Sequence, residues 1–345
     1  MDADQRPALL AAKLRGLVRA RWGVAPEPSS FPGGAAGTTV VDGVIQGWVL
    51  ADDRRPRGAL GGALTWADRV GVAGLNVLID DEAAGNARAG GALVVASSAV
   101  ARRALSFTDP PHIWAVHGTE LVEAHPALPP EPSEPPAEAL VHLERIEAAG
   151  AVAVVEHGVV IAEVDGLEVA RTVTDPDGSI HLEIGVGRHD RMASSLMAGP
   201  FAGGTDESLR RVVELVSAQR ASRDVTQPLS NLAPERRLRR RIIDDPSPVG
   251  CRWLEPLPPV EPAPSIKEPF PAGALGKSAS GGEVVVVCSS GVDLELVPLA
   301  ADLRGVHAPS AELVLVVPPG DDHPVTRQLA NRLCHPAEIV TLDLG

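Results

Sequence analysis

Gly47-Trp48-Val49-Leu50 and, after an amphipathic stretch over residues 59–70, Leu75-Asn76-Val77-Leu78-Ile79 decide the fold. Two short runs of mainly aliphatic residues flank a segment with Leu60, Leu64 and Ala67 on one face. That is the pattern of parallel strands joined by a crossover helix. An Ala-rich stretch, residues 83–105, reads as helical with a break near Gly90-Gly91, and leads to a third strand, His112-Ile113-Trp114-Ala115-Val116. The scheme returns near the other end, with strands predicted at 284–288, 312–317 and 338–342 and helices at 294–303 and 324–333. One offset, 238, carries Trp48 to Val286 and Leu75 to Leu313. The chain therefore reads as α/β, with two β-α-β-α-β modules of parallel sheet that are either a structural duplication or two convergent uses of one common motif.

The centre differs. Residues 125–136 are Pro-rich and read as a stiff spacer. A helix is expected over 137–149, then strands at 151–156, 159–164, 167–174 and 180–186. The turns between them are His157-Gly158, Asp165-Gly166 and Asp175-Pro176-Asp177-Gly178. Asp-Gly between alternating strands is a strong hairpin signal, so this is an α+β domain built on an antiparallel meander. An amphipathic helix over 207–220 closes it. The expected segments are an N-terminal helix and loop (1–36), an α/β module (37–124), the spacer (125–136) and the meander domain (137–222). A basic helix and Pro-rich connector (223–282) and a second α/β module (283–345) follow. The connector is expected to run extended, pinned by Trp253 and Phe270. The N-terminal helix, 7–22, either docks on the first module through Leu9, Leu10, Leu14, Leu17 and Val18 or serves as a basic arm for a partner.

Composition narrows the function classes. The net charge is −14, and arginine carries the positive charge, the lysines being Lys13, Lys267 and Lys277. An acidic chain repels phosphate backbones at long range, which argues against a global nucleic-acid surface without excluding a local basic patch. Tyrosine is absent and there are four phenylalanines, so aliphatic cores are expected. Cys251, Cys288 and Cys334 are widely spaced and form no CxxC pair, which fits a reducing compartment. The start is acidic, and no apolar run approaches the roughly 18 residues of a membrane span. A cytoplasmic, non-membrane protein is expected.

Three groups of residues are candidates for chemistry. The first is the polar cluster of the meander: Glu163, Asp165 and Glu183, followed by Arg188-His189-Asp190 after the glycines at 185 and 187. Carboxylates on adjacent strands are what a Mg²⁺ site uses, and Arg and His beside flexible glycines suit an anion. Against this, Asp190 also suits a helix N-cap. The second is the run Arg236, Arg237, Arg239, Arg240 and Arg241, which suits nucleic acid or an acidic partner and suits equally well the chain's own surplus of acids. The third is the carboxyl ends of the predicted parallel strands, with Asp52 and Asp80 in the first module and Ser289 and Ser290 in the last, where open α/β sheets place ligands. The alternative there is solvated loops and helix caps. Gly276-Lys277-Ser278 is no phosphate loop, because Pro271 stands where the first glycine belongs and a strand follows.

The meander, with helices before and after and acids on its strands, loosely resembles a restriction-endonuclease-like core. That resemblance implies Mg²⁺ held by Glu163, Asp165 and Glu183 if the domain cuts. It also implies a lysine near Glu183, and no lysine occurs between Lys13 and Lys267. The resemblance is thus to a degenerate, non-cutting version, with no cofactor otherwise evident. The segments Gly166-Leu167-Glu168-Val169-Ala170-Arg171, Gly185 to Arg191 and His323-Pro324-Val325-Thr326-Arg327 give the whole chain a likeness to a function-unknown family of GC-rich bacteria, which implies no activity. The leading expectation is a non-catalytic or degenerate nuclease-like protein that binds nucleic acid or a protein partner. The rivals are a ligand-binding protein or enzyme using the strand-end loops, and a structural scaffold.

Overall fold

The computed structural model describes residues 6–52, 58–81, 87–89, 92–187, 205–221, 229, 231–263 and 269–343. In chain order the elements are α1 (Arg6–Trp22), β1 (Glu27–Ser29), β2 (Gly34–Val41), β3 (Val44–Ala51), α2 (Leu60–Val70), β4 (Gly74–Asp80), β5 (Ala87–Ala89), β6 (Ala92–Val94), α3 (Ala96–Ala104), β7 (His112–His117) and β8 (Glu120–Glu123). There follow α4 (Ala137–Leu140), α5 (His142–Ala148), β9 (Val152–Glu156), β10 (Val159–Val164), β11 (Leu167–Thr174), β12 (Ile180–Ile184), α6 (Thr205–Ala221) and α7 (Pro234–Asp244). Last come β13 (Cys251–Leu257), β14 (Ala272–Ser278), β15 (Glu283–Cys288), α8 (Leu296–His307), β16 (Glu312–Val317), α9 (Pro324–Asn331) and β17 (Glu338–Thr341).

Among the described residues the main sheets have the orders β1-β2-β3-β4-β7-β8, β12-β11-β10-β9 and β13-β14-β15-β16-β17, beside a small β5–β6 hairpin. The architecture is α/β, with two flanking sheets around a purely antiparallel one. The repeat extends to register. β3 pairs parallel with β4 from Gln46↔Gly74 to Leu50↔Leu78, and β15 with β16 from Val284↔Glu312 to Cys288↔Val316. Adding 238 converts each pair of the first set into a pair of the second.

Three expectations are corrected. The flanking sheets are mixed, because antiparallel strands precede the parallel ones in both: β1 and β2 before β3, β13 and β14 before β15. β1 and the start of β2 fall in the expected N-terminal loop, and β13 and β14 in the expected Pro-rich connector. Their glycines are there because a neighbouring backbone comes close. A Cβ on Gly37 would stand 2.5 Å from the Glu27 carbonyl oxygen, and one on Gly276 would overlap that of Trp253. Composition that looks like a linker is a steric requirement of a tight strand pair. The connector is thus part of a sheet, Trp253 is 46% exposed rather than an anchor, and Phe270 is half-buried. Finally, the region expected as helical over 83–105, with a break near Gly90-Gly91, holds the β5–β6 hairpin before the shorter α3; residues 82–86, 90 and 91 lie outside those described.

The chain divides into two compact units. Unit 1 comprises residues 1–129, 292–309 and 322–338, and unit 2 comprises 130–291, 310–321 and 339–345. In unit 1, α1 lays Leu14, Leu17 and Val18 on a core with Ala35, Trp48, Leu50, Leu78 and Val116. Each leucine so buried contributes about 1.5–3 kcal/mol. The N-terminal helix is therefore docked. The core is not purely aliphatic: Trp22 meets Trp48 at a 51° tilt, ring centroids 4.6 Å apart, and Trp114 edge-on at 5.1 Å. The indole N–H groups of Trp48 and Trp114 donate to Thr39 Oγ1 and Asn76 Oδ1. Helices α2, α3, α8 and α9 belong to this unit too. Arg332 pairs with Asp68 at 2.6 Å, and a bridge between Phe107 and Leu333 ties the ends of α3 and α9.

In unit 2 the meander packs Val160, Ala162, Val164, Leu167, Val169, Ala170 and Leu182 under α4, α5 and α6. The third sheet buries Val284, Val286, Cys288, Val314 and Val316 with Leu238 and Ile242 of α7. No helix among the described residues is long and apolar enough to cross a membrane.

Candidate functional site

The densest constellation of charge lies where α7 meets the meander. β9 and β10 are joined by His157-Gly158 (φ 50° and 77°), and β10 and β11 by Asp165-Gly166 (φ 47° and 77°). Both are the left-handed two-residue turns that match the twist of a hairpin. They set the register that pairs Val159 with Glu156, Ile161 with Arg171, Glu163 with Glu168, and Arg171 with Glu183. Cross-strand partners share a face, so Glu156, Glu163, Glu168, Arg171 and Glu183 all stand on the face opposite the apolar core. A bulge between Ala162 and Glu163 makes this work. Without it, Glu168 and Arg171, an odd number of residues apart, would face opposite ways. With it, Arg171 grips both Glu168 oxygens at 2.6 and 2.7 Å, and that bond raises the Arg171 guanidinium further above its ordinary value.

Onto this face α7 lays its arginines. Its sequence, PERRLRRRIID, puts Leu238 and Ile242 on one side, in the core of the third sheet, and Arg236 and Arg239, three apart, on the other. Arg236 Nη1 donates to Glu163 Oε1 at 2.5 Å and Nη2 to Glu156 Oε2 at 2.6 Å. Arg239 Nη1 donates to Glu156 Oε1 at 3.3 Å and Nη2 to both Glu163 oxygens at 2.8 Å. Two arginines and two glutamates thus close a ring. The Arg239, Glu163 and Glu156 side chains are 2%, 3% and 7% exposed. Burial alone would raise the Glu156 carboxyl, but Arg236 and Arg239 outweigh it and hold it below the ordinary carboxylate range. Burial likewise pulls on Arg236, and the two glutamates raise it instead.

The turn beside the ring is held as firmly. Arg237 pairs with the Asp165 carboxylate at 2.8 Å, and Arg220 donates to the Asp165 and Leu232 carbonyls. Burial pulls the Arg220 guanidinium down to about 10. Gly166 lies against α7 so closely that a Cβ there would overlap the Arg236 backbone. Gly166→Ala is therefore expected to cost more than about 1 kcal/mol, from both the left-handed backbone and this contact. The check is a urea midpoint that falls at unchanged slope.

The predicted residues are placed as follows. Glu163 and Asp165 face different arginines of α7, and Glu183 stands two strands from β10, opposite Arg171. Arg188, His189 and Asp190 lie outside the described residues. Arg236, Arg237 and Arg239 point into unit 2, Arg240 pairs with Asp244, and Arg241 donates to the Asp343 carbonyl. At the strand ends of the first module, Asp52 pairs with Arg6 at 2.6 Å and Asp80 with Lys13, both from α1. Asp81 caps α3 through Ser97. Ser289 is buried with its N–H on the Val316 carbonyl, and Ser290 is half-buried. Cys288 is buried and its thiol is pushed up by burial, the opposite of a reactive thiolate. Among the described residues no group of three or more His, Cys, Asp or Glu is placed to hold a metal ion. Glu156 and Arg220 are members that sequence reasoning missed. Glu156 had a signal, since the two-residue turn after it puts it in phase with Glu163; Arg220 had none. No family model, curated protein or solved structure matches this chain.

Proposed function

We propose that this is a non-catalytic protein, nuclease-like only in the outline of its middle domain, that works by binding a protein partner. The ring of Arg236, Arg239, Glu156 and Glu163 supports this reading. Glu163, one of the three acids that would hold Mg²⁺, and Arg236 and Arg239, two of the arginines that would meet phosphate, neutralise one another there in a buried joint with Glu156, and Asp165 is paired with Arg237. One exposed hairpin is apolar instead. On the β2–β3 hairpin, Val40 and Ile45 form a cross-strand pair 68% and 39% exposed, with Val44 beside them at 42%. Apolar groups at a hairpin tip suit a protein surface better than a nucleic acid.

The test is fluorescence anisotropy with labelled single- and double-stranded DNA and RNA at two salt concentrations, alongside a cleavage assay with Mg²⁺ and Mn²⁺. Neither binding at micromolar protein nor cleavage is expected. Salt-sensitive binding, or cleavage lost in Glu163→Gln, overturns the proposal. Its positive arm is affinity purification from the source cells. A protein recovered stoichiometrically with the wild type should be lost with Val40→Asp/Ile45→Asp, and equal recovery counts against the hairpin.

A further inference from the structure

Helix α2 has no cap of its own. Its N-cap residue is Ala59, whose side chain cannot accept a hydrogen bond. Two donors at its start, the N–H groups of Gly61 and Gly62, would be left over. Glu295, which lies 234 residues further on in sequence, answers them: Oε1 accepts the Gly61 N–H at 2.7 Å, and the Gly62 N–H lies near enough to favour the carboxylate. Glu295 is the N-cap residue of α8 but does not cap that helix with its side chain. Asp293 does so in its place, accepting the Glu295 N–H at 2.9 Å. One carboxyl thus pins the start of α2 to the start of α8, the first crossover helices of the two repeats, within unit 1.

The joint is tight and buried. A Cβ on Gly61 would overlap the Leu294 carbonyl oxygen. Among the described residues, buried Glu295 Oε2 has no hydrogen-bond partner. Among the described residues the charged groups that act on it are Arg103 of α3 and Asp293 at its own helix start, and Arg103 also reaches Asp302 at 3.4 Å. The carboxyl faces opposing demands. Two N–H groups and a helix N-terminus favour its charge. Burial and the orphaned oxygen oppose it.

We propose that Glu295 is a pH-sensitive latch: as the neutral acid it closes the α2–α8 joint, and ionised within that buried joint it loosens it. Burial, with Asp293 adding to it against the pull of Arg103 and the two N–H groups, pushes the carboxyl up to about 7 from an ordinary 4.5. The folded value is raised, so the stabilisation is fully present below about 4.5 and is lost as pH rises through about 7.

Two measurements test this on the full chain. Thermal unfolding followed by tryptophan fluorescence should show the wild-type Tm falling by roughly 5 °C between pH 5.5 and 8.5 relative to Glu295→Gln, which keeps the shape and the N–H bond but cannot ionise. Hydrogen exchange, corrected for intrinsic pH dependence, should show the Gly61 and Gly62 amides losing protection over the same range in wild type only. A wild type and Glu295→Gln that follow the same pH course overturn the latch. If Glu295→Gln does not fold, ¹³C titration of the wild-type carboxyl decides. A midpoint near 7 supports the proposal, and one near the ordinary value overturns it.

Discussion

Arg239→Ala is expected to destabilise unit 2 by about 3–5 kcal/mol, the cost of breaking a buried pair and leaving its partner charge in place. Arg239 is nearly inaccessible and bonds to both glutamates of the ring. Once it is removed, Glu163 keeps Arg236, but that guanidinium also serves Glu156, so two buried carboxylates share one cation. Urea unfolding followed by far-UV circular dichroism reads the loss, and hydrogen exchange locates it at α7 and the ends of β9 and β10. Replacing both partners, Arg239→Met with Glu163→Leu, should recover part of the loss, because no orphaned carboxylate remains at that corner. The deficit should also shrink in acid. The folded Glu156 carboxyl lies below its ordinary value, so its contribution is present at neutral pH and is lost as pH falls through that lowered value. A variant within about 0.5 kcal/mol of wild type, the range of ordinary surface changes, would mean that the ring is hydrated and the joint open.

Asp302→Ala should have an effect of the same size in unit 1, again about 3–5 kcal/mol. The Asp302 side chain is 2% exposed and receives Arg102 at 2.7 and 2.9 Å and Arg103 at 3.4 Å. Its loss takes a carboxylate from two adjacent guanidiniums, one of them as buried as the acid itself. Asp302→Asn keeps the shape and part of the hydrogen bonding, and should fall between the alanine variant and wild type. The readout separates the units. Trp22, Trp48, Trp66 and Trp114 belong to unit 1, and Trp253, in unit 2, is already half-exposed. Tryptophan fluorescence should therefore follow the Asp302 variants and report little of the Arg239 variant. If both shift it equally, the units unfold as one.

Some of this was legible because it is local. The alternation of helix and strand follows from hydrophobic period, and the hairpins follow from Asp-Gly and His-Gly steps whose backbone hand suits only such residues. The offset of 238 captured even the register of β3 on β4 and of β15 on β16, since the same spacing of strand, helix and strand leaves one comfortable pairing. Glu163 and Asp165 were also named from the sequence, as were the arginines of α7, for which the chain's own acids were one of the expected partners.

By itself, then, the sequence determined the element types, the duplicated α/β scheme and the antiparallel centre, all properties of short windows in which period and turn chemistry dominate. Tertiary structure alone decided three further things. It made strands of Gly- and Pro-rich segments, because the glycines answer to a neighbouring backbone rather than to their own. It settled which charges meet, because Arg239 and Glu163 lie 76 residues apart and their pairing depends on α7 being wedged beside the meander. It gave α2 its cap, because the carboxyl that completes the helix start is carried by the other repeat, and nothing local to Ala59 announces it.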